Sequence, residues 1–491
     1  MLKLQDLCLD YDNTLMDALK SIDSNGEGIV FVQKNDIFFG TLTDGDIRRG
    51  LISGASKSSK LGPYCNEKAV RLPIFSSDNE IQGSLSDNEI NMVPLVNAEG
   101  VVVDFATRSR FQRFPVMEPC LRGREREYVN DCIDSNWISS QGSYVERFES
   151  ELSEICGVKS CVATSSGTTA LHLALETLGI GFGDEVIVPN LTFGASVNSI
   201  LHAGATPVLV DVSEHDWTLC PQKVLKAISP NTKAIMPVHL YGNPCQMNSI
   251  MSIAVQHDLL VVEDCAEALG AKILGQPVGS FGDAAAFSFF ANKVITCGEG
   301  GAVMFRDSLS SEKAKMLRDH GMSATKKYWH ELVGYNYRMT NIQAAIGCAQ
   351  LEKLEEFTVK RSQIWASYEK ELLPSGYFKS QKLHAGSEPC HWLFTLVLAS
   401  NLTCYRDQLS DELRLSGIDT RPIFYPMSDM PAFQANSKQA PDLRTSKSLS
   451  RRGISFPSSI SLSNEEIVSI SRRTLEIIEE LIMLNKDRCV D

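Results

Sequence analysis

The sequence predicts an α/β protein, in which a large parallel sheet covered by helices on both faces follows a smaller α+β module. Three observations predict it. From Ser160 onward, apolar strand segments alternate with helical segments, the pattern of a parallel sheet with helices on both sides. Near the N-terminus a helix–strand–strand unit is followed by a weaker strand–turn–strand echo, which reads as an internal duplication. The chain has 491 residues, more than one ordinary domain holds, so two or three domains are expected.

Composition narrows the function classes. Hydrophobic residues make up 43% and charged residues 22%, the mix of a globular rather than a disordered chain. Sixty acidic against 47 basic residues give a net charge of −13, which argues against a nucleic-acid partner. No apolar run reaches the length of a membrane span, and Met1-Leu-Lys-Leu-Gln-Asp6 lacks the features of a secretion signal. The 14 cysteines show no C-x-x-C pair and no metal-ligand spacing. They are expected to be reduced thiols in a cytoplasmic protein without a bound metal.

The first module is expected over residues 1–113, in two halves of about 1–58 and 59–113. Thr14 to Ile22 places Leu15, Ala18, Leu19 and Ile22 on one helical face. Gly28–Val32 and Ile37–Leu42 read as strands around the polar turn Lys34-Asn-Asp36, and Thr43 or Asp44 can cap a following helix. Met92–Val96, a turn at Asn97–Gly100 and Val101–Ala106 form the echo. The stretch Gly40-Thr-Leu-Thr-Asp-Gly-Asp-Ile-Arg48 resembles the signature of CBS domains, which work as tandem pairs. The resemblance implies that Thr43 and Asp46 contact the ribose or phosphate of an adenine nucleotide; the competing expectation is that Thr43 only caps a helix. Ala106-Thr-Arg108 in the second copy offers no comparable pair.

Arg113-Phe-Pro-Val-Met-Glu-Pro119 reads as a linker, because its two prolines interrupt a helix. Beyond it, a large domain is expected over 114–360 and a small C-terminal one over 361–491. Strands are predicted at Ser160–Ala163, Asp184–Val188, Thr206–Asp211, Ala234–Val238 and Leu259–Asp264. In such sheets, active-site groups gather where strands end and helices begin.

Three such places carry chemistry. Thr164-Ser-Ser-Gly-Thr-Thr-Ala-Leu171 has small residues and hydroxyls at a helix start, opened by Thr168 or Thr169, where bare N–H groups can cradle a phosphate. Asp264 ends an apolar strand, where a buried carboxylate calls for a cationic partner such as a protonated pyridine nitrogen; the bland alternative is a helix cap. Lys293 lies in Phe287-Ser-Phe-Phe-Ala-Asn-Lys-Val-Ile-Thr-Cys-Gly-Glu-Gly-Gly301, where an alternating strand is expected to deliver it among apolar groups and glycines. Desolvation there lowers the amine's pKa and makes it able to form a Schiff base with an aldehyde. Each feature alone is weak. In this order within one sheet they specify a site for pyridoxal 5′-phosphate (PLP): cup for phosphate, Asp264 for the ring nitrogen, Lys293 for the aldehyde.

Ser166-Gly-Thr-Thr-Ala-Leu171, Val188-Pro-Asn-Leu-Thr-Phe193, Glu263-Asp-Cys-Ala-Glu-Ala-Leu-Gly270, Ser288-Phe-Phe-Ala-Asn-Lys293, Gly334-Tyr-Asn-Tyr-Arg-Met-Thr-Asn341 and Thr420-Arg-Pro-Ile-Phe-Tyr-Pro426 together resemble the DegT/DnrJ/EryC1/StrS sugar aminotransferases. The resemblance covers residues 116 to about 485 and implies the fold type I architecture of PLP-dependent transferases, like aspartate aminotransferase. It implies that Lys293 is the Schiff-base lysine and proton-moving base, and that Asp264 pairs with the pyridine nitrogen. Gly167, Thr168 and Ser288 would hold the phosphate, Phe193 would stack on the ring, and Glu267 would lie near the ring hydroxyl. Asn336 and Arg338 would reach the phosphate site of a second subunit in a homodimer, and Arg421 and Tyr425 would touch the substrate's nucleotide. L-Glutamate would be the amino donor and a nucleotide-linked 4-keto-6-deoxy sugar the acceptor, with GDP-4-keto-6-deoxymannose going to GDP-perosamine for surface polysaccharide. The same chemistry on a UDP- or dTDP-linked, or a non-nucleotide, keto sugar is the alternative within the class. A nucleotide-sensing regulator with a degenerate PLP fold is the alternative outside it; the presence of lysine, aspartate, serine and cup together argues against that.

Overall fold

The computed structural model describes residues 4–76, 78–85, 90, 92–107 and 114–484. Arg108 of the echo and Arg113 of the linker lie outside the described residues. The chain divides into two compact units, Met1–Phe114 and Pro115–Asp491.

In the N-terminal unit, both expected helix starts are closed by side chains. The Thr14 hydroxyl accepts the Asp17 N–H while the Asp17 carboxylate accepts the Thr14 N–H, a reciprocal box at the start of Leu15–Asn25. Thr43 and Asp46 repeat that box at the start of Asp44–Ile52. Cys8–Asp10 runs parallel to Ile29–Lys34, which pairs antiparallel with Ile37–Thr43. Leu72–Pro73, Met92–Val96 and Val102–Thr107 repeat the same order and directions, so the duplication extends to topology. Phe31 and Phe38 of one half share a buried cluster with Met92 and Phe105 of the other. Neither half can bury its apolar sheet face alone.

The second unit is built on an eight-stranded sheet. Its order is Lys438–Gln439, Thr206–Val210, Glu185–Pro189, Thr232–Ile235, Leu260–Asp264, Ala284–Ser288, Gly301–Phe305 and Ser160–Thr164. All neighbouring pairs are parallel except the two made by Gly301–Phe305, which runs against both partners. The parallel expectation thus holds for the rest of the sheet and fails at that strand. It follows Ala284–Ser288 after residues 289–300, which form no helix of the kind that usually carries a parallel crossover. The expected strand Ala234–Val238 lies earlier in the chain, at Thr232–Ile235. The strands are buried along almost their whole length because helices cover both faces.

A four-stranded antiparallel sheet (Phe378–Ser380, Thr395–Leu398, Gly453–Ser455 and Arg421–Pro422) forms the C-terminal lobe. Tyr368 stacks on Phe394 in its core, with ring centroids 4.6 Å apart. The expected boundary between residues 360 and 361 falls in mid-helix, within Leu354–Leu372, and Pro115–Asp491 forms one compact unit. Twelve of the described cysteines are free thiols; Cys404 is disulfide-bonded, which departs from the expectation of reduced thiols throughout. Among the described residues, no helix is long and apolar enough to cross a membrane.

Candidate active site

The C-terminal ends of Ser160–Thr164, Leu260–Asp264 and Ala284–Ser288 converge on a cavity of about 420 Å³. Gly167, Thr168, Phe193, Asp264, Glu267, Ser288, Lys293 and Arg421 all line it. Sequence-distant residues meet here because adjacent parallel strands all end on the same edge of the sheet.

The phosphate cup is a helix start with backbone crowded around it. Ser166, rather than Thr168 or Thr169, caps Gly167–Thr177; its hydroxyl accepts the Thr169 N–H and Thr169 returns the bond. This leaves the Thr168 side chain without a capping duty at the cavity wall. A β-carbon on Gly167 would fall 2.7 Å from Cβ of Ser288, and one on Gly301 would fall 2.3 Å from the Ser166 carbonyl oxygen. Glycines therefore bring the hydroxyl of Ser288 and the helix N-terminus together on one anion-sized spot.

Asp264 is buried, and each of its oxygens has one donor. The Ser196 hydroxyl donates to Oδ2 at 2.7 Å, and the Ala266 N–H donates to Oδ1 at 3.1 Å. Ser196 is itself held by Thr192, 2.8 Å away. Burial still raises the Asp264 pKa despite these bonds, so the carboxylate has unmet demand for a cation. The pyridinium of PLP would meet it.

Lys293 stands in a turn five positions beyond the strand end at Ser288, not on an alternating strand. Its Nζ lies 3.8 Å from Oε1 of Glu267 and 4.0 Å from the centroid of the Trp392 ring. Burial lowers the lysine's pKa against the opposing pull of Glu267 and Asp264. Burial likewise pushes the Glu267 carboxyl up to about 7, with Lys293 and the Tyr241 N–H pulling it down. Burial thus works against charge on both partners, the direction that makes the amine's lone pair more available.

The remaining predicted residues divide. Phe193 caps the helix Gly194–His202 with its ring open to the cavity. Arg421 reaches the cavity, whereas Tyr425 is exposed and does not line it. Asn336 and Arg338 also do not line it: Arg338 pairs with Asp319, and the segment bridges to Thr164 and Asp319. Thr43 and Asp46 spend their polar groups on each other, and Asp46 also pairs with Arg49, as the capping expectation had it.

Sequence reasoning misses an aromatic wall. Tyr241 stacks on Trp392 at 6.0 Å and on Phe424 at 5.5 Å, all three lining the cavity. These residues sit in loops with no periodicity to announce them. A buried His239–Glu263–Cys265 group brings its polar atoms within 4.8 Å of one another. Both Glu263 oxygens already accept N–H groups, from Gly279, Phe281 and Gly282, and Nδ1 of His239 accepts the Cys245 N–H. The cluster therefore braces the strand that carries Asp264.

Comparison with known proteins agrees with this geometry. The model of the DegT/DnrJ/EryC1/StrS aminotransferase family matches residues 119–473. The chain is 45% identical to GDP-perosamine synthase of Caulobacter vibrioides over 361 residues, 73% of this chain and 96% of that one. It is 44% identical to GDP-perosamine synthase of Escherichia coli O157:H7 over 358 residues, 72% of this chain and 96% of that one. The crystal structure of S. venezuelae DesV superposes with a TM-score of 0.69 at 35% identity, over 73% of this chain and 95% of that one. A lysine, two carboxylates and a glycine-crowded phosphate cup at the strand ends fit PLP, and the chain belongs to the DegT/DnrJ/EryC1/StrS family as a PLP-dependent sugar aminotransferase.

Proposed function

We propose that the protein transfers the amino group of L-glutamate to C4 of GDP-4-keto-6-deoxymannose, giving GDP-perosamine for surface polysaccharide. The observation that carries this reading is similarity to GDP-perosamine synthases over nearly their whole length; the cavity lined by Gly167, Thr168, Phe193, Asp264, Glu267, Ser288 and Lys293 supports it.

PLP, when bound, supplies an electron-withdrawing ring that acidifies the donor's α-proton and a carbon that carries nitrogen between the two half-reactions. The chain does the rest. Asp264, backed by Ser196, holds a proton on the ring nitrogen. Gly167, Thr168 and Ser288 hold the phosphate, and Phe193 covers the ring. Lys293 Nζ takes the α-proton from glutamate in the first half-reaction and delivers a proton to the sugar carbon in the second, with Glu267 beside it. Arg421 at the cavity wall, with Tyr425 further out, faces the anionic nucleotide.

Asn336 and Arg338 act across a homodimer. The exposed Tyr328, Trp329 and Val333 just before them support this, because such a run of apolar side chains marks a contact surface. The repeated topology of residues 1–113 supports a tandem CBS pair; calorimetry of the full chain with ATP and AMP tests whether it takes an adenine nucleotide. Residues 114–360 and 361–491 serve as large and small lobes, and the enzyme works in the cytoplasm.

The test starts from protein converted to its pyridoxamine form with glutamate. GDP-4-keto-6-deoxymannose, but not the UDP- or dTDP-linked keto sugars, is expected to restore the visible absorption. Return with another sugar alone would move the substrate; silence with all three would refute the reading.

A further inference from the structure

Trp392 is fixed to an unusual degree for a loop residue. Its indole N–H donates to the Asn292 carbonyl at 2.6 Å, its backbone N–H donates to the Tyr241 carbonyl at 3.3 Å, and its carbonyl accepts from the buried Arg361 guanidinium at 2.9 Å. Its ring lies nearly parallel to that of Tyr241, at an interplanar angle of 15°. The Asn292 anchor is the backbone of the residue next to Lys293, so the ring and the lysine's turn are tied together across 100 positions of sequence. The face that results carries Lys293 Nζ at 4.0 Å from its centroid.

A π face attracts the ammonium without imposing a hydrogen-bond direction. Glu267, 3.8 Å from the same nitrogen, does impose one. We propose that Trp392 is a positioning residue for Lys293, holding its protonated amine over the cavity between the two half-reactions and balancing the pull of Glu267. This rests on the assignment of Lys293 as the cofactor-binding lysine.

Trp392→Leu removes both face and tether; Trp392→Phe keeps a face and removes the tether. In Trp392→Leu, kcat is expected to fall about 10-fold while KM for the sugar stays within about 2-fold. A second readout uses no turnover: the pH midpoint for the rate at which PLP, added to cofactor-free protein, develops its visible band. That midpoint reports the free amine and is expected to fall by about one unit in Trp392→Leu, because the cation loses its π partner. Trp392→Phe is expected to keep the wild-type midpoint and lose about 3-fold in kcat. Unchanged kcat and midpoint in a folded Trp392→Leu protein would overturn the proposal. If that variant does not fold, unchanged kcat in Trp392→Phe would do so. Wild-type protein that develops no band with PLP would instead remove the lysine assignment itself.

Discussion

Gly167 and Ser288 touch where the phosphate cup closes: a single added carbon on the glycine would lie 2.7 Å from the serine's Cβ. The contact joins the first residue of a helix to the last residue of a strand. Gly167→Ala is expected to push the two apart and weaken PLP binding at least about 10-fold, since overpacking of a tight site costs roughly 1–3 kcal/mol. Fluorescence titration of cofactor-free protein with PLP checks this, and equal affinity for variant and wild type would contradict the cup.

Asp264→Asn keeps the shape and the Ser196 contact but removes the negative charge proposed to hold a proton on the ring nitrogen. The glutamate half-reaction is expected to slow by about 10²–10³-fold, the scale of a removed electrostatic stabiliser. Stopped-flow absorbance measures it. PLP is expected to remain bound through the cup and Lys293.

Glu267 makes stability depend on pH with a definite sign. Its folded pKa of about 7 exceeds the unfolded value of 4.5, so between these the folded state binds more protons. Its contribution is fully present below the unfolded value and is lost as pH rises through the folded one. The loss amounts to about 3 kcal/mol at most, shared with Lys293. Cofactor-free Glu267→Gln, whose amide oxygen still accepts the Tyr241 N–H, is expected to melt higher than wild type at pH 8 and to lose that advantage at pH 4.5. Melting curves across this range decide it.

Thr43→Ala removes one half of a capping box in the N-terminal unit. A loss of about 1 kcal/mol is expected, confined to that unit. Aminotransferase kinetics are expected to be unchanged, which differential scanning calorimetry beside steady-state assays checks.

Much of the site is legible in the amino-acid sequence because it obeys local rules. Asp264 ends a short strand built on Leu259–Val262, Gly167 opens a helix among hydroxyls, and Lys293 precedes a glycine-rich stretch, so each announces itself within a few residues. Trp392, Tyr241 and Phe424 do not, because they matter only through one another. Their stack arises where three loops meet, and Tyr241 takes part with a left-handed backbone (φ 57°) that no periodicity encodes. The cap at Ser166 is hidden for a subtler reason: five hydroxyl residues between Thr164 and Thr169 are chemically similar candidates, and only the backbone conformation chooses among them. Likewise Asn336 and Arg338 meet Asp319 and Thr164, partners that no local motif joins to them. In the fold, the direction of Gly301–Phe305 is illegible because apolar runs carry no mark of it.

The outermost strand of the large sheet, Lys438–Gln439, comes from the C-terminal lobe and pairs with Thr206–Val210, while Lys438 also meets the buried carboxylate of Glu185. During synthesis, Thr206–Val210 therefore waits with an unpaired edge until the distant segment arrives. An unpaired apolar edge recruits other chains. A chain cut before residue 438 keeps Lys293, Asp264 and the cup, yet it is expected to self-associate. The C-terminal lobe thus protects the nascent sheet as well as walling the cavity.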